Sequence, residues 1–202
     1  EMTSGCLCCT IRGDIRQTLV GLYGKCVKGQ IPKFDRVIVE STGLADPAPV
    51  VQTLMSDPLL RNRYTLGGVI ATIDALHGSD TIKRHKECEK QAAVADRLVI
   101  TKSDLITSDT TKKTLSKLQS KLLSLNPTAI VLDRHQIDFE LKSLFDTSLY
   151  DPDTKSIDVR KWLNAEANTK NNTHATVMLM TTVGTITMTS PGTDRIFDLL
   201  HL

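Results

Sequence analysis

Four short apolar runs recur along the chain, separated by stretches of helical periodicity. They are Arg36-Val37-Ile38-Val39-Glu40, Gly68-Val69-Ile70-Ala71-Thr72-Ile73-Asp74, Arg97-Leu98-Val99-Ile100-Thr101 and Ala129-Ile130-Val131-Leu132. Each is rich in β-branched and aliphatic residues and shows little polar alternation. Such runs suit strands covered on both faces, as in parallel sheets. Between them the spacing changes to three and four. Ile11, Ile15, Leu19, Leu22 and Cys26 form one face of a helix that Gly29 and Pro32 end. Asp46-Pro47 starts a second helix, with Asp as N-cap and Pro at the first helical position. A third is expected over about 80–95. Leu115, Leu118, Leu122 and Leu125 form the stripe of a fourth, whose other face carries the solvated Lys112, Lys113, Lys117 and Lys121. This alternation predicts an α/β fold with a mainly parallel sheet and helices on both faces.

The pattern changes after Asp151-Pro152-Asp153. A helix is expected over about 158–167 and a polar linker over 168–172. From Ala175 to Met188, threonines alternate with apolar residues around Gly184, which predicts a hairpin or two strands with one wet face. Residues 1–167 therefore read as one domain, 168–172 as a linker and 173–202 as the start of a small α+β C-terminal domain.

Composition excludes several classes. With 40% hydrophobic and 24% charged residues, the 202-residue chain falls in the globular range. A formal net charge of +2 is too small to imply nucleic acid, and 4% aromatic residues are too few for base-stacking platforms. The longest uncharged run, Thr173 to Thr193, is threonine-rich and broken by Gly184, Pro191 and Gly192, so no membrane span is expected. Glu1-Met2-Thr3-Ser4 does not have the pattern of a secretory leader. Five cysteines, an odd number without disulfide-framework spacing, point to a reducing, cytoplasmic setting.

Three segments carry chemistry. In Gly5-Cys6-Leu7-Cys8-Cys9-Thr10, three cysteines fall within four residues. Thiolates select soft ions such as zinc or copper(I). Cys6, Cys8 and Cys9 can hold one ion only if the backbone turns, which Gly5 helps. A closed structural zinc site has four protein ligands, so three suit a metal that is carried and released, or one whose coordination a partner completes. The plain alternative is three small buried hydrophobes. Cys26, and the pair His85 and Cys88 at a spacing of three, read as packing. The second segment is Glu40-Ser41-Thr42-Gly43, at the end of the first apolar run. Glu40 can hold a magnesium ion, directly or through water, or position an attacking water, and Gly43 lets the backbone approach a γ-phosphate. The alternative is an acidic strand end followed by a turn. The third segment is Thr101-Lys102-Ser103-Asp104, at the carboxyl end of another run, where open α/β sheets bind ligands. Asp104 can accept from the ring N–H and the exocyclic amine of guanine, a donor pair that adenine lacks, while the stem of Lys102 lies over the base. The alternative is a helix N-cap at Ser103 or Asp104.

Taken in this order, the segments resemble the CobW-type GTPase family of P-loop NTPases, which includes zinc-handling metallochaperones and relatives of UreG and HypB. Gly5 to Asp14 resembles the family's metal motif, and Glu40-Ser41-Thr42-Gly43-Leu44-Ala45-Asp46-Pro47 its Walker B and switch segment. Ile73-Asp74-Ala75, then Glu89, Gln91, Ala95 and Asp96, lead into Thr101-Lys102-Ser103-Asp104-Leu105, similar to the guanine-recognition element. The likeness covers about residues 1–150, and the tail from about Thr173 faintly resembles the start of the family's small C-terminal domain. It implies a P-loop NTPase-like fold and a GTPase that couples nucleotide state to metal delivery. GTP with Mg2+, and Zn2+ or Co2+, are the implied ligands. A metal-requiring client protein is the implied partner, and self-association is compatible with the chain. The implied residues are Glu40 and Gly43 for catalysis, Thr101, Lys102 and Asp104 for the nucleotide, and Cys6, Cys8 and Cys9 for the metal.

The sequence departs from the family pattern in two places. The phosphate loop GxxGxGKT, which lies upstream of the cysteine motif in the family, does not occur in these 202 residues. Gly21-Leu22-Tyr23-Gly24-Lys25 is no substitute, since it lacks the glycine spacing and the Ser/Thr and lies inside the first helix. Thr101 stands where Asn is common. The expectation is a piece of a longer protein, because a parallel sheet without its central strand exposes an apolar edge. The alternative is a member that keeps the metal motif without catalysis, a non-enzymatic metal-binding or metal-sensing module.

Overall fold

The computed structural model describes residues 7–145, 150–164, 175–183 and 200–201, with side chains for 13–145, 150–160 and 163. The first element is α1 (Leu7–Val27), followed by β1 (Arg36–Ser41), α2 (Ala48–Ser56), α3 (Pro58–Arg61), β2 (Tyr64–Asp74), α4 (Gly78–Arg84) and α5 (Lys86–Val94). The chain continues through β3 (Arg97–Thr101), α6 (Asp109–Leu125), β4 (Ile130–Asp133), α7 (Ile157–Asn164), β5 (Ala175–Val183) and β6 (Leu200–His201). The six strands form one sheet in the order β4-β3-β2-β5-β1-β6, and every pairing is parallel. All four apolar runs are strands, and the parallel sheet with helices is as the sequence predicts.

From β1 to β4 the strands progress in one direction across the sheet. Right-handed crossovers then place the intervening helices on one face. The packing agrees, since Ile15 and Leu19 of α1, Val50, Val51 and Leu54 of α2, Ala92 and Val94 of α5, and Leu118 and Leu122 of α6 share one buried cluster with Val37, Val39, Val69, Ala71, Ile73 and Leu98 of the sheet. On the second face, Ile70 and Val99 pack with Leu144, supported by Ile38, Leu132, Phe139 and Phe145. A 3-10 turn over Leu141–Leu144 supplies that cover, so among the described residues the packed α-helices lie on one face of the sheet, not on both as expected.

Local signals set the helix ends. At the end of α1, Gly29 takes φ +68°, Gln30 N–H donates to the Lys25 carbonyl and Gly29 N–H to that of Cys26. This is a Schellman stop, which needs a residue free to adopt left-handed backbone. Asp57 caps α3 by accepting from Leu59 and Leu60 N–H at 2.9 and 3.1 Å, and takes Arg16 of α1 at 2.6 Å. Ser108 and Thr111 form a reciprocal capping box at the start of α6. Asp46 does cap α2 through Ala48 N–H at 3.0 Å, although the helix opens one residue after the expected proline.

Two expectations are corrected. The helix expected over about 80–95 is two helices, because His85 takes an extended conformation (φ −124°, ψ 115°) between α4 and α5. His85 and Cys88 therefore do not share one continuous helix. The hairpin expected from Ala175 is, over its described part, the single strand β5, which lies within the main sheet between β1 and β2. The physical reason is the unbroken apolar run Val177-Met178-Leu179-Met180, which suits a strand covered on both faces better than one with a wet face.

The 150–164 segment is clasped to the end of the sheet where β3 begins. Lys155 is buried, with its Nζ 2.6 Å from Asp96 Oδ1, 3.0 Å from the Ala95 carbonyl and 5.4 Å from the Tyr150 ring centre. Asp96 uses its other oxygen to accept from Val69 N–H at 2.9 Å. Asn126 donates to the carbonyls of Ala92, Ala93 and Ala95, closing the end of α5.

Candidate functional site

Because all strands are parallel, their polar ends gather on one edge. Glu40 and Ser41 end β1, Asp74 ends β2, Thr101 ends β3 and Asp133 ends β4. This carboxyl edge is where open α/β sheets hold ligands. The site has two ends, one after β3 and β4 and one after β1. From β3 to β1 the order is β3-β2-β5-β1. Three strand spacings separate them, roughly 14 Å.

At the first end, Thr101 is stitched to β2. Its hydroxyl donates to the Ile73 carbonyl at 3.3 Å, and its own carbonyl accepts from Ala75 N–H at 2.9 Å. The Thr101 hydroxyl thus ties two strands together. Lys102 follows with φ +59° and ψ +24°, the one non-glycine residue at positive φ among those described. Its Nζ lies 2.8 Å from Asp74 Oδ2. Asp74 Oδ1 accepts from Leu76 and His77 N–H at 2.8 and 3.0 Å. Burial opposes ionisation of Asp74, but the hydrogen bonds from Lys102, His77 and Leu76 outweigh it and hold the carboxyl below its ordinary range. Lys102 is thus held over the edge by a carboxylate that stays charged.

The next residues link β3 to β4. Ser103 Oγ donates to Asp133 Oδ1 at 2.5 Å, the same oxygen accepts from His135 N–H at 2.9 Å, and Arg134 N–H donates to the Ile100 carbonyl at 2.9 Å. Asp104 is half exposed, and its Oδ1 meets His135 Nε2 at 2.9 Å. The structure therefore brings Thr101, Lys102 and Asp104 together in one turn, with Asp104 open to solvent on one side.

At the other end, Glu40 is partly buried and lies on the opposite face of β1 from Val37, Val39 and Ser41. A carboxylate at a strand end is the hard oxygen donor that magnesium takes. The chain then makes a four-residue turn closed by Ala45 N–H donating to the Thr42 carbonyl at 3.1 Å. Three side chains of α5 grip this turn. Gln91 Nε2 donates to the carbonyls of Thr42 and Ala45 at 3.1 and 2.7 Å. The Cys88 thiol donates to the Gly43 carbonyl at 3.1 Å, and Lys90 pairs with Asp46 at 2.5 Å.

The cysteine cluster is only partly in view. Cys6 lies outside the described residues, and Cys8 and Cys9 fall in the first turn of α1 with side chains outside them. The helix thus begins at Leu7, earlier than the periodicity predicts. Among the described residues, no group of three or more His, Cys, Asp or Glu is placed to hold a metal ion.

Comparison with known proteins decides the family. The CobW/HypB/UreG nucleotide-binding domain matches residues 1–133. The chain belongs to that family. The zinc chaperone YjiA of Escherichia coli (strain K12) is 35% identical over 147 residues, which is 73% of this chain and 44% of YjiA. The zinc-regulated GTPase metalloprotein activator 1 of Schizosaccharomyces pombe is 29% identical over 133 residues, 65% of this chain and 30% of that protein. The zinc chaperone CobW of a Sinorhizobium species is 28% identical over 152 residues, 64% of this chain and 41% of that one. The crystal structure of Zn(II)-bound YjiA GTPase superposes with a TM-score of 0.58 at 32% identity, over 71% of this chain and 46% of the other. The chain thus spans less than half the length of these relatives.

Sequence reasoning placed the residues of both turns but missed what holds them. Asp74 was visible as the polar end of an apolar run, yet its partner Lys102 lies 28 positions away. Cys88 and Gln91 carried a usable signal, since they sit at a spacing of three on a helix face that is otherwise alanine and valine. His135 stands alone in the sequence and gave none.

Proposed function

We propose that this chain is part of a GTP-dependent zinc chaperone, in which a guanine nucleotide along the carboxyl edge sets the affinity of Cys6, Cys8 and Cys9 for a soft divalent metal, zinc first and cobalt second. The observation that carries this is the placement of the Thr101–Asp104 turn and the Thr42–Ala45 turn on one edge of one parallel sheet, at opposite ends of a span suited to a nucleoside triphosphate. Asp104 accepts from the two donors of guanine, Lys102 covers the base while Asp74 steadies it, and Gly43 lies against the terminal phosphate. Glu40 would hold magnesium directly or through water. The ion, when bound, neutralises charge on the phosphates. The relatives, zinc chaperones and a zinc-regulated GTPase activator by name, support the choice of metal and nucleotide. The receiving partner is a metal-requiring protein, and a reducing cytoplasm is the setting that free thiolate ligands favour. No helix among the described residues is long and apolar enough to cross a membrane.

This 202-residue stretch carries no GxxGxGKT, so on its own it is expected to hydrolyse GTP negligibly, because phosphoryl transfer depends on the electrostatic positioning such a loop supplies. The decisive test uses the full-length protein carrying Asp104→Asn. The amide loses the paired acceptors for guanine and gains a donor for the carbonyl that xanthine presents instead. Affinity for GDP should fall by about a hundredfold or more, and affinity for xanthosine diphosphate should rise. Unchanged GDP affinity refutes the base assignment. Zinc titrations in the presence of GDP and of a non-hydrolysable GTP analogue test the coupling. By linkage, a nucleotide switch must show different zinc affinity in the two states. Equal affinities would leave a metal-binding module without coupling.

A further inference from the structure

The turn after β1 is held in an unusual way. Three of the carbonyls in its four residues, those of Thr42, Gly43 and Ala45, accept side-chain donors from α5. A trans peptide is planar, with C=O and N–H pointing in opposite directions. A carbonyl drawn toward α5 therefore sends the next residue's N–H away from it. The Thr42 carbonyl sets the N–H of Gly43, and the Gly43 carbonyl sets the N–H of Leu44. Neither N–H has an acceptor among the described residues, and Leu44 is exposed. Two successive free N–H groups on one side of a turn form an anion-binding concavity.

We propose that Gln91, assisted by Cys88, is a positioning residue that aims the Gly43 and Leu44 N–H groups at the terminal phosphate of a bound nucleoside triphosphate. The inference rests on the guanine-nucleotide reading above and names the residues that preset its phosphate end.

Gln91 is wholly buried, which glutamine seldom is. Its Oε1 has no partner among the described residues, a cost that a leucine or methionine in the same space would avoid. The amide is retained for its two donations, since packing alone does not call for it. Cys88 is equally buried, and burial pushes its thiol pKa up, which keeps the sulfur protonated and able to donate. Lys90 and Asp46 fix the far end of the same loop, with Asp46 also capping α2. The turn is thus clamped at both ends and in the middle, with its free donors facing away from the clamp. Preset donors of this kind cost no reorganisation when charge arrives.

The test uses the full-length protein with Gln91→Met, which keeps the length of the side chain and removes both donations. Affinities are measured for GDP and for a non-hydrolysable GTP analogue. The expected result is a loss of about tenfold for the analogue, the weight of one or two hydrogen bonds, with GDP affinity changed less than about twofold. A merely structural role would weaken both nucleotides alike, and that outcome overturns the inference. So does an unchanged ratio. The pair Cys88→Ser and Cys88→Ala provides a second route should the methionine variant fail to fold. Serine still donates and should keep the ratio, whereas alanine should lower it, and equal behaviour of the two overturns the thiol's role. Wild-type protein that binds neither nucleotide refutes the parent reading itself. Binding with an unaltered ratio in Gln91→Met refutes only the positioning.

Discussion

Asp74→Asn isolates one charge at the β3 end of the site. The amide oxygen can still accept from Leu76 and His77 N–H, so the turn after β2 keeps its two backbone hydrogen bonds. What disappears is the ion pair with Lys102, at 2.8 Å. A hydrogen bond to a charged group contributes about 1.5–3 kcal/mol. The Lys102 side chain is 37% exposed, so solvent screening brings the expected loss to about 1 kcal/mol. For a chain of this size that is a fall of roughly 2–4 °C in Tm. The functional effect should be larger in proportion. A released Lys102 must be ordered again on nucleotide binding, at about 0.5–1.5 kcal/mol, so GDP affinity should fall roughly two- to tenfold. The pH dependence supplies a second check. Because the folded Asp74 carboxyl is held below its unfolded value, its stabilisation is fully present above about pH 4 and is lost as pH falls through the folded value. The difference in stability between wild type and Asp74→Asn should be constant from pH 5 to 8 and shrink on further acidification. Urea unfolding across pH and calorimetric GDP titration measure both effects. Unaltered GDP affinity together with a Tm within 1 °C of wild type would refute the proposed support of Lys102.

Lys155→Met should destabilise the protein by about 2–3 kcal/mol, at or below the bottom of the range for breaking a buried pair because Asp96 is 22% exposed and keeps Val69 N–H; urea denaturation reads the loss, and a change under about 1 kcal/mol would mean that the clasp is idle. Gly29→Ala should cost about 1–2 kcal/mol, since φ is +68° while a Cβ there meets nothing within 4 Å, so the cost is conformational alone. Gly21→Ala, inside α1 with equally open space, should instead gain roughly 0.5–1 kcal/mol. Opposite signs for the two glycines in thermal melts confirm the Schellman stop, and equal signs reject it.

The strands were legible because burial on both faces leaves a compositional mark, and the four apolar runs carry it without ambiguity. The polar residues at their ends were legible for the same reason, since Glu40, Asp74 and Thr101 interrupt apolar runs where parallel strands must stop. The break at His85 was not legible. No glycine or proline marks it, and periodicity alone runs straight through from Asp80 to Ala95. Nor was the place of β5. Its alternating threonines suggested a half-wet strand, whereas its register against β1 and β2 is a long-range choice that a local pattern does not encode. The contacts that shape the site, Lys102 with Asp74, Gln91 with Thr42 and Ala45, and His135 with Asp104, join residues 28 to 49 positions apart. Each partner looked ordinary in its own segment.

The break at His85 has a structural consequence. It separates α5 from α4, and α5 is the helix whose Cys88 and Gln91 reach the turn after β1. From the end of α5 the chain passes through Ala95 and Asp96 directly into β3, which delivers Lys102 and Asp104. One continuous segment of about twenty residues therefore holds the turn after β1 at its start and presents the turn after β3 at its end. Its middle is fixed by Asn126 gripping the last turn of α5 and by Asp96 bridging Val69 and Lys155. A displacement of the turn that carried Gln91 with it would be resisted by these anchors. The contacts that Cys88 and Gln91 make with the turn after β1 therefore come from a helix that is itself anchored at its far end.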